Sequence, residues 1–289
     1  MMAHLEFATL RGLRTSWMEA GEPGKPILLF LHGFPDSPET WEFQVDHFGR
    51  SYHVIAPYSR GAGRSEKSDS VARYGSDASA LDLLQLLQQI DPSGRTPVTV
   101  VGHDLGAVHA WSLAPLLGDR LAGLIILNGM SLAAMTGRLR SIAQHRRSWY
   151  IYGLQVPWFP EMLARFFPNA LLNFAHDVGK LPAPHRLAPD QVEDCLEHPI
   201  NQYRAFVRDI PKVRRRVVPR LQCPVMIIWG KEDPFLVTPT VSEWERTAAD
   251  ITTRILPAGH WVHRERAPEV NRLIEKFLKE KVSGPKGNA

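Results

Sequence analysis

Cysteine is scarce in this sequence, and its scarcity argues against one class of site. The 289 residues include two cysteines, Cys195 and Cys223, which lie far apart and have no metal-binding spacing. A structural zinc site needs several closely spaced Cys or His ligands, and neither a CxxC motif nor a His-rich cluster occurs. We therefore expect no metal ion and two reduced thiols, as is typical of a cytoplasmic protein.

Long apolar runs are also lacking. No stretch approaches the roughly 20 apolar residues that a membrane-spanning helix needs, and the first residues, MMAHLEFATLRGLRTSW, do not resemble a secretory signal. The net charge is +4, and one basic run occurs, Arg214-Arg215-Arg216. Because no aromatic residues or known module accompany this run, we interpret it as a solvated helix end rather than a nucleic-acid site.

Short apolar runs alternate with helical patterns along most of the chain. The runs are rich in Val and Ile, which is typical of strands buried on both faces, and they occupy residues 26–31, 53–57, 97–101, 124–127, 225–229 and 253–256. Helical patterns cover residues 77–90, 105–117 and 269–279. This alternation predicts an α/β fold, with a mostly parallel sheet and helices on both of its faces.

The strand pattern disappears between about Met130 and Val217. This segment is rich in aromatic residues, Pro and Arg, and helices are predicted over residues 137–147, 160–174 and 189–206. Strands of the same type resume beyond it, so we interpret it as an inserted helical cap rather than an independent domain. The predicted organisation is a core of residues 1–129 and 218–282, a cap of residues 130–217, and a flexible tail of residues 283–289.

The third apolar run ends in VGHDLGA, where Asp104 lies between Gly102 and Gly106. This spacing is typical of a sharp strand-to-helix turn that presents a nucleophile at the carboxyl end of a strand. The alternative is an Asp that only caps the following helix. A carboxylate is already ionised, so Asp104 could attack an sp³ carbon and form an ester that water then hydrolyses.

Hydrolysis of such an ester needs a base that activates water and a carboxylate that orients the base. Asp233 follows the fifth apolar run in WGKEDPF, and His260 follows the sixth in AGHWVH. The chain order nucleophile, acid, base is the one that this type of turn accompanies. Glu232 is an alternative to Asp233, and His263 to His260, but we expect His263 to face solvent.

The first apolar run ends in HGFP, which supplies the remaining part of the predicted site. The backbone amide of Phe34, together with that of Leu105, would stabilise negative charge on the tetrahedral intermediate. We expect His32 to support this loop by hydrogen bonding rather than to act in catalysis.

With these segments assembled, the chain resembles the α/β-hydrolase superfamily, and within it the epoxide hydrolases, from about residue 5 to residue 280. HGFPDSPETW, VGHDLGA, WGKEDPF and AGHWVHRERAPEV are similar to that family's oxyanion, nucleophile, acid and histidine segments. The resemblance implies an enzyme that needs no cofactor and converts a small apolar epoxide and water into a vicinal diol. Two cap tyrosines of the family donate to the epoxide oxygen. SWYIYGLQVP and NQYRAF match their segments, which points to Tyr150 and Tyr203, with Tyr152 as an alternative to Tyr150.

The resemblance leaves two alternatives. Dehalogenases share an Asp nucleophile, but Phe34 and Leu105 stand where the haloalkane enzymes usually have Asn and Trp, and no arginines surround Asp104 as in fluoroacetate-cleaving enzymes. A cap residue such as Trp149 could still bind a halide ion. A non-catalytic ligand-binding protein of the same fold is the second alternative, and it has no need of the complete set of Asp, His and Asp. The oligomeric state stays open, with a homodimer as one option.

One departure from the family concerns the loop after the second apolar run. The family's usual Asp-x-Arg-Gly appears here as Tyr58-Ser59-Arg60-Gly61, without its Asp. This loop is mainly structural in the family, so the change bears on local stability or pocket shape more than on chemistry.

Overall fold

One eight-stranded sheet forms the centre of the molecule. The computed structural model describes residues 3–192, 195–213, 220–239, 244 and 247–282. The strands are β1 (His4–Leu10), β2 (Leu13–Ala20), β3 (Ile27–Leu31), β4 (His53–Pro57), β5 (Val98–His103), β6 (Leu121–Leu127), β7 (Val225–Gly230) and β8 (Ile251–Leu256). Their order across the sheet is β1-β2-β4-β3-β5-β6-β7-β8.

The sheet is parallel except at one end. β1 pairs with β2 and β2 with β4 in antiparallel fashion, whereas every pairing from β4 to β8 is parallel. The six predicted apolar runs correspond to β3 through β8, so the prediction of a mostly parallel α/β sheet is confirmed. β1 and β2 were not predicted, because only a few of their residues are buried and their sequences form no continuous apolar run.

Helices cover both faces of the sheet and fill the interval between β6 and β7. They are α1 (Glu42–Phe48), α2 (Ser76–Ile90), α3 (Leu105–Leu117), α4 (Leu132–Arg138), α5 (Ile142–Arg147), α6 (Trp149–Gly153), α7 (Phe159–Phe166), α8 (Pro168–Val178), α9 (Pro189–Val192), α10 (Ile200–Val213), α11 (Val262–Glu265) and α12 (Ala267–Phe277). Short 3₁₀ helices occupy residues 38–41, 71–74, 118–120 and 183–185, and a π-helical turn follows α12 at residues 278–282.

Alternate residues of each central strand contribute to two separate apolar cores. In β3, Leu29 packs in the core that contains α2 and α3, whereas Leu28 and Phe30 pack in the core that contains α1 and α12. These side chains are almost fully buried, and burying each one stabilises the fold by roughly 1.5–3 kcal/mol. The alternation fixes which side of each strand meets which helices. Because β3, β5, β7 and β8 run parallel, the loops that follow them leave the sheet at the same edge.

In the described part of the chain between β6 and β7, every element is a helix, but the predicted helices there were too long. The stretch 137–147 breaks at residues 139–141, and 160–174 breaks at Phe167, which precedes Pro168 and leaves the helical region with φ −135° and ψ 47°. A residue before proline is disfavoured in helical conformation. The predicted helix 189–206 is divided between α9 and α10.

Several sequence predictions concern other parts of the chain. Cys195 and Cys223 are not joined by a disulfide bond, as expected. No helix in the described ranges combines the length and apolar character needed to cross a membrane. The basic run at residues 214–216 and the tail at residues 283–289 lie outside the described residues.

Candidate active site

Asp104 occupies the sharp turn between β5 and α3. Its backbone has φ 51° and ψ −119°, a conformation that residues with a side chain rarely adopt. The turn is closed by near contacts, since a Cβ on Gly33 would lie 2.5 Å from the Asp104 Cβ and one on Gly106 would lie 2.1 Å from the Leu31 carbonyl oxygen. The Asp104 side chain makes no capping hydrogen bond to α3. The predicted sharp strand-to-helix turn is therefore present, and Asp104 stands at the N-cap position of α3 without capping it through its side chain.

Two backbone amides act on the Asp104 carboxylate. The Phe34 amide donates to Oδ1 at 3.1 Å, and the neighbouring Leu105 amide lowers the pKa of the same carboxyl group. These are the two amides predicted to form an oxyanion hole. Because their positions are fixed by the turn and by the loop after β3, they are preorganised to receive negative charge at this point.

His260 connects Asp104 to Asp233. Its Nδ1 donates to Asp233 Oδ2 at 2.8 Å, and its Nε2 lies 3.5 Å from Asp104 Oδ2. His260 and Asp233 are each 2% exposed, whereas the alternative acid Glu232 is exposed. The three predicted residues come from the ends of β5, β7 and β8 and meet at one edge of the sheet, as the parallel topology requires.

The charges of these residues depend on one another. Burial by itself lowers the His260 pKa, but the Asp233 and Asp104 carboxylates outweigh it and raise that pKa to about 10. Burial raises the Asp104 pKa, yet the hydrogen bond and charge of His260 hold it below its ordinary value. The resting site is therefore an imidazolium held between two carboxylates.

Asn128 was not predicted, and it fixes the orientation of Asp233. Its Nδ2 donates to Asp233 Oδ2 at 2.7 Å, while the amides of Phe235 and Leu236 donate to Asp233 Oδ1 at 2.7 and 2.9 Å. Asn128 directly follows β6, so the rule that functional residues follow the strands could have identified it. The acid is thus held by three donors besides His260.

The two predicted tyrosines meet above Asp104. Tyr150 on α6 and Tyr203 on α10 have ring centroids 5.8 Å apart and pack edge to face. Burial, followed by the neighbouring Tyr150 and then the Asp104 carboxylate, raises the pKa of Tyr203 well above the ordinary tyrosine value, and burial also raises the pKa of Tyr150. Both hydroxyls therefore keep their protons at neutral pH and are able to donate.

Tyr152, the alternative to Tyr150, lies on the outer surface of the helical segment between β6 and β7. Its side chain is 53% exposed, and its hydroxyl is 3.2 Å from the Nδ1 atom of His145. Because Tyr152 does not line the cavity that contains Asp104, the geometry favours Tyr150 as the first cap donor.

The cavity beside Asp104 has two lobes, which meet at Asp104, Tyr150 and Tyr203. The larger lobe has a volume of about 90 Å³ and is further lined mainly by aromatic side chains, among them Phe34, Trp149, Phe174, Phe235 and Trp261. The smaller lobe has a volume of about 30 Å³ and is further lined by Leu105, Val108, Met130, Met135, Ile151, Phe206 and Leu236. Apolar walls around a few polar groups suit a small apolar molecule.

Comparison with known proteins agrees with this geometry. The model of the family described as "Alpha/beta hydrolase family" matches residues 28–273. The chain belongs to the alpha/beta hydrolase family. Within it, the chain is 30% identical to Epoxide hydrolase 4 of Homo sapiens, over 93% of this chain and 76% of that protein. It is 28% identical to Epoxide hydrolase A of Mycobacterium tuberculosis, over 92% and 94% of the two chains.

Solved structures of alpha/beta hydrolases place the chain in the same family. A mutant epoxide hydrolase from Bacillus megaterium, complexed with its diol product, superposes with a TM-score of 0.80 and 26% identity, covering 95% of this chain and 100% of that one. An epoxide hydrolase from metagenomes of hot environments superposes with a TM-score of 0.77 and 28% identity, covering 96% and 99%. The chain thus stands among the epoxide hydrolases of the alpha/beta hydrolase family.

In this alpha/beta hydrolase, two cap residues that were not predicted attach α5 to the loop carrying Asp233. Gln144 is fully buried, its Nε2 donates to the Phe235 carbonyl at 2.9 Å, and its Oε1 accepts from the Val237 amide at 2.9 Å. Arg147 Nη1 donates to the Asp233 carbonyl at 2.7 Å. Nothing in the sequence pattern marks these residues, because their partners lie some 90 positions away.

The expectation that His263 faces solvent was wrong. Its side chain is 0% exposed, its ring lies 4.3 Å from that of Trp41, and its Nε2 is 2.8 Å from the Thr40 hydroxyl. α11 begins immediately after the His260 loop and turns His263 inward against the 3₁₀ helix at residues 38–41. His263 therefore packs behind the site and does not replace His260.

His263 belongs to a buried group that supports His260. In the described ranges, Asp36, His103 and His263 are the one set of side chains close enough to ligate a metal ion, with one atom of each within 4.8 Å of the others. Burial lowers the His103 pKa to about 3, so the neutral ring donates through Nε2 to the His260 carbonyl, 3.0 Å away. This hydrogen bond holds the backbone of His260 in place.

The loop after β3 is supported as expected. His32 Nδ1 lies 2.8 Å from the Gly33 carbonyl, and its Nε2 accepts from the Ser59 amide at 3.0 Å. Burial lowers the His32 pKa to about 4, so the ring is neutral and able to make both contacts. Tyr58, which stands where the family has Asp, is hydrogen-bonded to Glu39. This contact holds the loop through a different partner.

Proposed function

We propose that this protein is an epoxide hydrolase that converts a small apolar epoxide and water into a vicinal diol without a cofactor. One observation carries the proposal: the Asp104 carboxylate and the hydroxyl-bearing side chains of Tyr150 and Tyr203 line the same apolar cavity. The named epoxide hydrolases among its relatives support the same activity.

In the first step, an Asp104 oxygen attacks one carbon of the epoxide ring. The carbon–oxygen bond breaks, and its electron pair remains on the ring oxygen. Tyr150 and Tyr203 donate to that oxygen as its negative charge develops, which is general acid assistance of a kind worth roughly 10²–10⁴ in rate. The product of this step is a hydroxyalkyl ester of Asp104.

Ester formation also prepares the base for the second step. The ester is uncharged, so one of the two carboxylates that raise the His260 pKa is lost. The His260 pKa then falls, and the proton that the imidazolium gives up balances the proton that the ring oxygen gains. A neutral imidazole, still oriented by Asp233 at 2.8 Å, is the form that can take a proton from water.

In the second step, the activated water attacks the carbonyl carbon of the Asp104 ester. The amides of Phe34 and Leu105 stabilise the negative oxygen of the tetrahedral intermediate. Its collapse breaks the bond to the alkyl oxygen, releases the diol and restores the carboxylate. One oxygen of Asp104 therefore comes from water after each turnover.

The experiment that tests this function uses two variants and styrene oxide. Asp104→Ala should form no diol, and His260→Gln should accumulate an ester that mass spectrometry locates on the peptide containing Asp104. In a single turnover of the wild type in ¹⁸O-water, the label should enter Asp104 before it enters the diol. Full diol formation by Asp104→Ala would overturn the mechanism, and halide release from bromoalkanes without any diol would identify a dehalogenase instead.

We also propose that residues 130–217 act as the cap and that residues 1–129 and 218–282 form the core. The division is supported by the source of the site residues, since Tyr150 and Tyr203 come from the cap segment and Asp104, Asp233 and His260 from the core. A cytoplasmic location and a homodimer remain further proposals from the sequence.

A further inference from the structure

Exposed large apolar side chains are concentrated in one part of the cap. Of the sixteen in the described chain, ten lie between residues 142 and 174. Five of them belong to α7 and its two flanking residues, and we call this set the α7 face: Trp158 (84% exposed), Phe159 (52%), Met162 (43%), Phe166 (67%) and Phe167 (58%). Contiguous exposed apolar surface of this kind marks an interaction site.

The α7 face is additional to the apolar side that α7 uses for packing. Pro160 and Ala164 are buried, and Ala164 packs against Leu196 and Ile200. Phe159, Met162 and Phe166 follow the spacing i, i+3 and i+7, which places them together on the opposite side of the helix. An ordinary surface helix is polar on that side, so the outward face of α7 lacks the partner that its composition requires.

The charge of the cap indicates the kind of partner. Residues 130–217 include 13 Lys and Arg against 7 Asp and Glu, whereas the whole chain has 34 against 30. The cap therefore has an excess of six positive charges, and the rest of the chain has two more acidic than basic residues. On α7 itself, Glu161 is paired with Arg204, and Arg165 lies over the Phe166 ring at 5.9 Å. A partner of this surface should be anionic as well as apolar.

We propose that the α7 face docks on the surface of an anionic phospholipid bilayer. Trp and Phe side chains on one side of a helix bury well at the boundary between headgroups and acyl chains. Basic residues near such a surface add about 1 kcal/mol each when the lipids are anionic. The helix is short and would lie on the bilayer rather than cross it.

The position of the cavity favours a bilayer over a second copy of the chain. Trp149 and Phe174 line the larger lobe, and both are also exposed to solvent, at 56% and 50%. Their ring centroids are 6.3 Å apart. A second copy bound here would cover these exposed cavity residues and bring two positively charged caps together. A bilayer instead dissolves apolar molecules, so docking would place the exposed cavity residues next to such molecules. This last step rests on the proposed function, but the docking itself does not.

The test is flotation of the full chain with vesicles of phosphatidylcholine alone and of phosphatidylcholine with phosphatidylglycerol. We expect the wild type to float with the anionic vesicles, less so at high salt because the charges are then screened. The double variant Met162→Glu/Phe166→Glu should lower the apparent partition constant at least about tenfold, since it removes two apolar groups that the bilayer would bury. Leu81→Glu is the matched control, because Leu81 is 43% exposed, as Met162 is, but lies on α2 of the core.

The midpoint temperature of thermal unfolding checks that both variants fold. It should equal that of the wild type because the replaced side chains are exposed. Analytical ultracentrifugation decides between the bilayer and a second copy. The proposal is overturned if the wild type does not float with anionic vesicles, or if the double variant floats as well as the wild type. It is also overturned if the wild type is a dimer that the double variant dissociates. Diol formation does not enter these outcomes, so the docking and the proposed function fail separately.

Discussion

His260 has a protonation state that a neighbouring charge controls. Two carboxylates hold its pKa at about 10 in the resting site, although a base that activates water must be neutral. In the proposed mechanism, the ester intermediate removes one of those charges at the moment when the base is needed. The order of the two chemical steps is thus contained in the electrostatics of three side chains.

Asp104→Asn imitates the neutral ester without changing the number of non-hydrogen atoms at this position. We expect it to lower the His260 pKa from about 10, because only the Asp233 charge then remains. Titration of the His260 ring by NMR measures this shift directly. Asp177→Asn, which removes an exposed carboxylate on α8, should leave the pKa unchanged. A His260 pKa that stays near 10 in Asp104→Asn would contradict the coupling.

The cap tyrosines give a second prediction for single residues. Tyr203→Phe and Tyr150→Phe should each slow ester formation by up to about 10²–10⁴-fold without abolishing it, since the other hydroxyl still donates. Hydrolysis of the ester should change much less, because neither tyrosine hydroxyl donates to the attacking water or to the negative oxygen of the tetrahedral intermediate in the proposed mechanism. Single-turnover tryptophan fluorescence separates the two steps. Tyr152→Phe is the control, and a loss in that variant equal to the others would contradict the assignment.

At the scale of elements, the contact between α5 and the loop after β7 joins the two halves of the site. This loop carries Asp233, and α5 directly precedes the helix that carries Tyr150. Gln144 also donates to the Ser148 hydroxyl at 2.9 Å, at the start of that helix. The acid and the first cap donor are therefore held to each other by hydrogen bonds, rather than by apolar packing alone.

Arg147 and its neighbour Arg146 provide a matched pair on α5. Arg147→Ala removes charged hydrogen bonds to the Asp233 and Leu236 carbonyls, and we expect it to lower the free energy of unfolding by about 1.5–3 kcal/mol. Arg146 is exposed, as Arg147 is, so Arg146→Ala tests the same loss of charge and should stay within about 0.5 kcal/mol of the wild type. Urea unfolding measures both variants. Equal effects would mean that the contact contributes nothing particular.

The sequence predicted some elements well and others poorly, for identifiable reasons. β3 to β8 are buried on both faces, so their apolar runs are continuous and readable, and the turn at Asp104 is marked by local glycine spacing. β1 and β2 lie at the antiparallel end, where partial burial leaves no such run. In the site, Gln144 and His263 were missed or misplaced because their environment depends on segments far away in the chain, which no local pattern records.

At the scale of the whole molecule, the cap and the core share packing. One apolar cluster contains Tyr203 and Phe206 from α10 together with Phe34, Leu105 and Val108 from the core. Tyr203 also packs against Phe34 edge to face, with ring centroids 5.5 Å apart. Because the site lies between the two parts, the charges in it affect the stability of the complete fold.

The pH dependence of unfolding follows from the His260 pKa. It is about 10 in the folded protein and ordinarily 6.5, so its contribution to stability is complete below about 6.5 and is lost as the pH rises towards about 10. The pKa of Asp104 is lowered, so its contribution is lost only in acid. We expect the free energy of unfolding to fall between pH 6.5 and 10, and to fall less in His260→Gln. Urea unfolding across this range measures both slopes, and equal slopes would contradict the prediction.

The crowding around Asp104 bears on how such a protein can change over generations. A Cβ would lie within 2.1 to 2.6 Å of neighbouring atoms at four glycines around the turn, namely Gly33, Gly102, Gly106 and Gly129. Almost any substitution there displaces the turn at Asp104 or the segments packed against it, so variation at these positions should be removed by selection. Cavity positions such as Leu154 and Leu171 lie on the cap and carry no such constraint. New substrate preferences should therefore arise, in nature or in a directed library, from the cap while the chemistry below it stays the same.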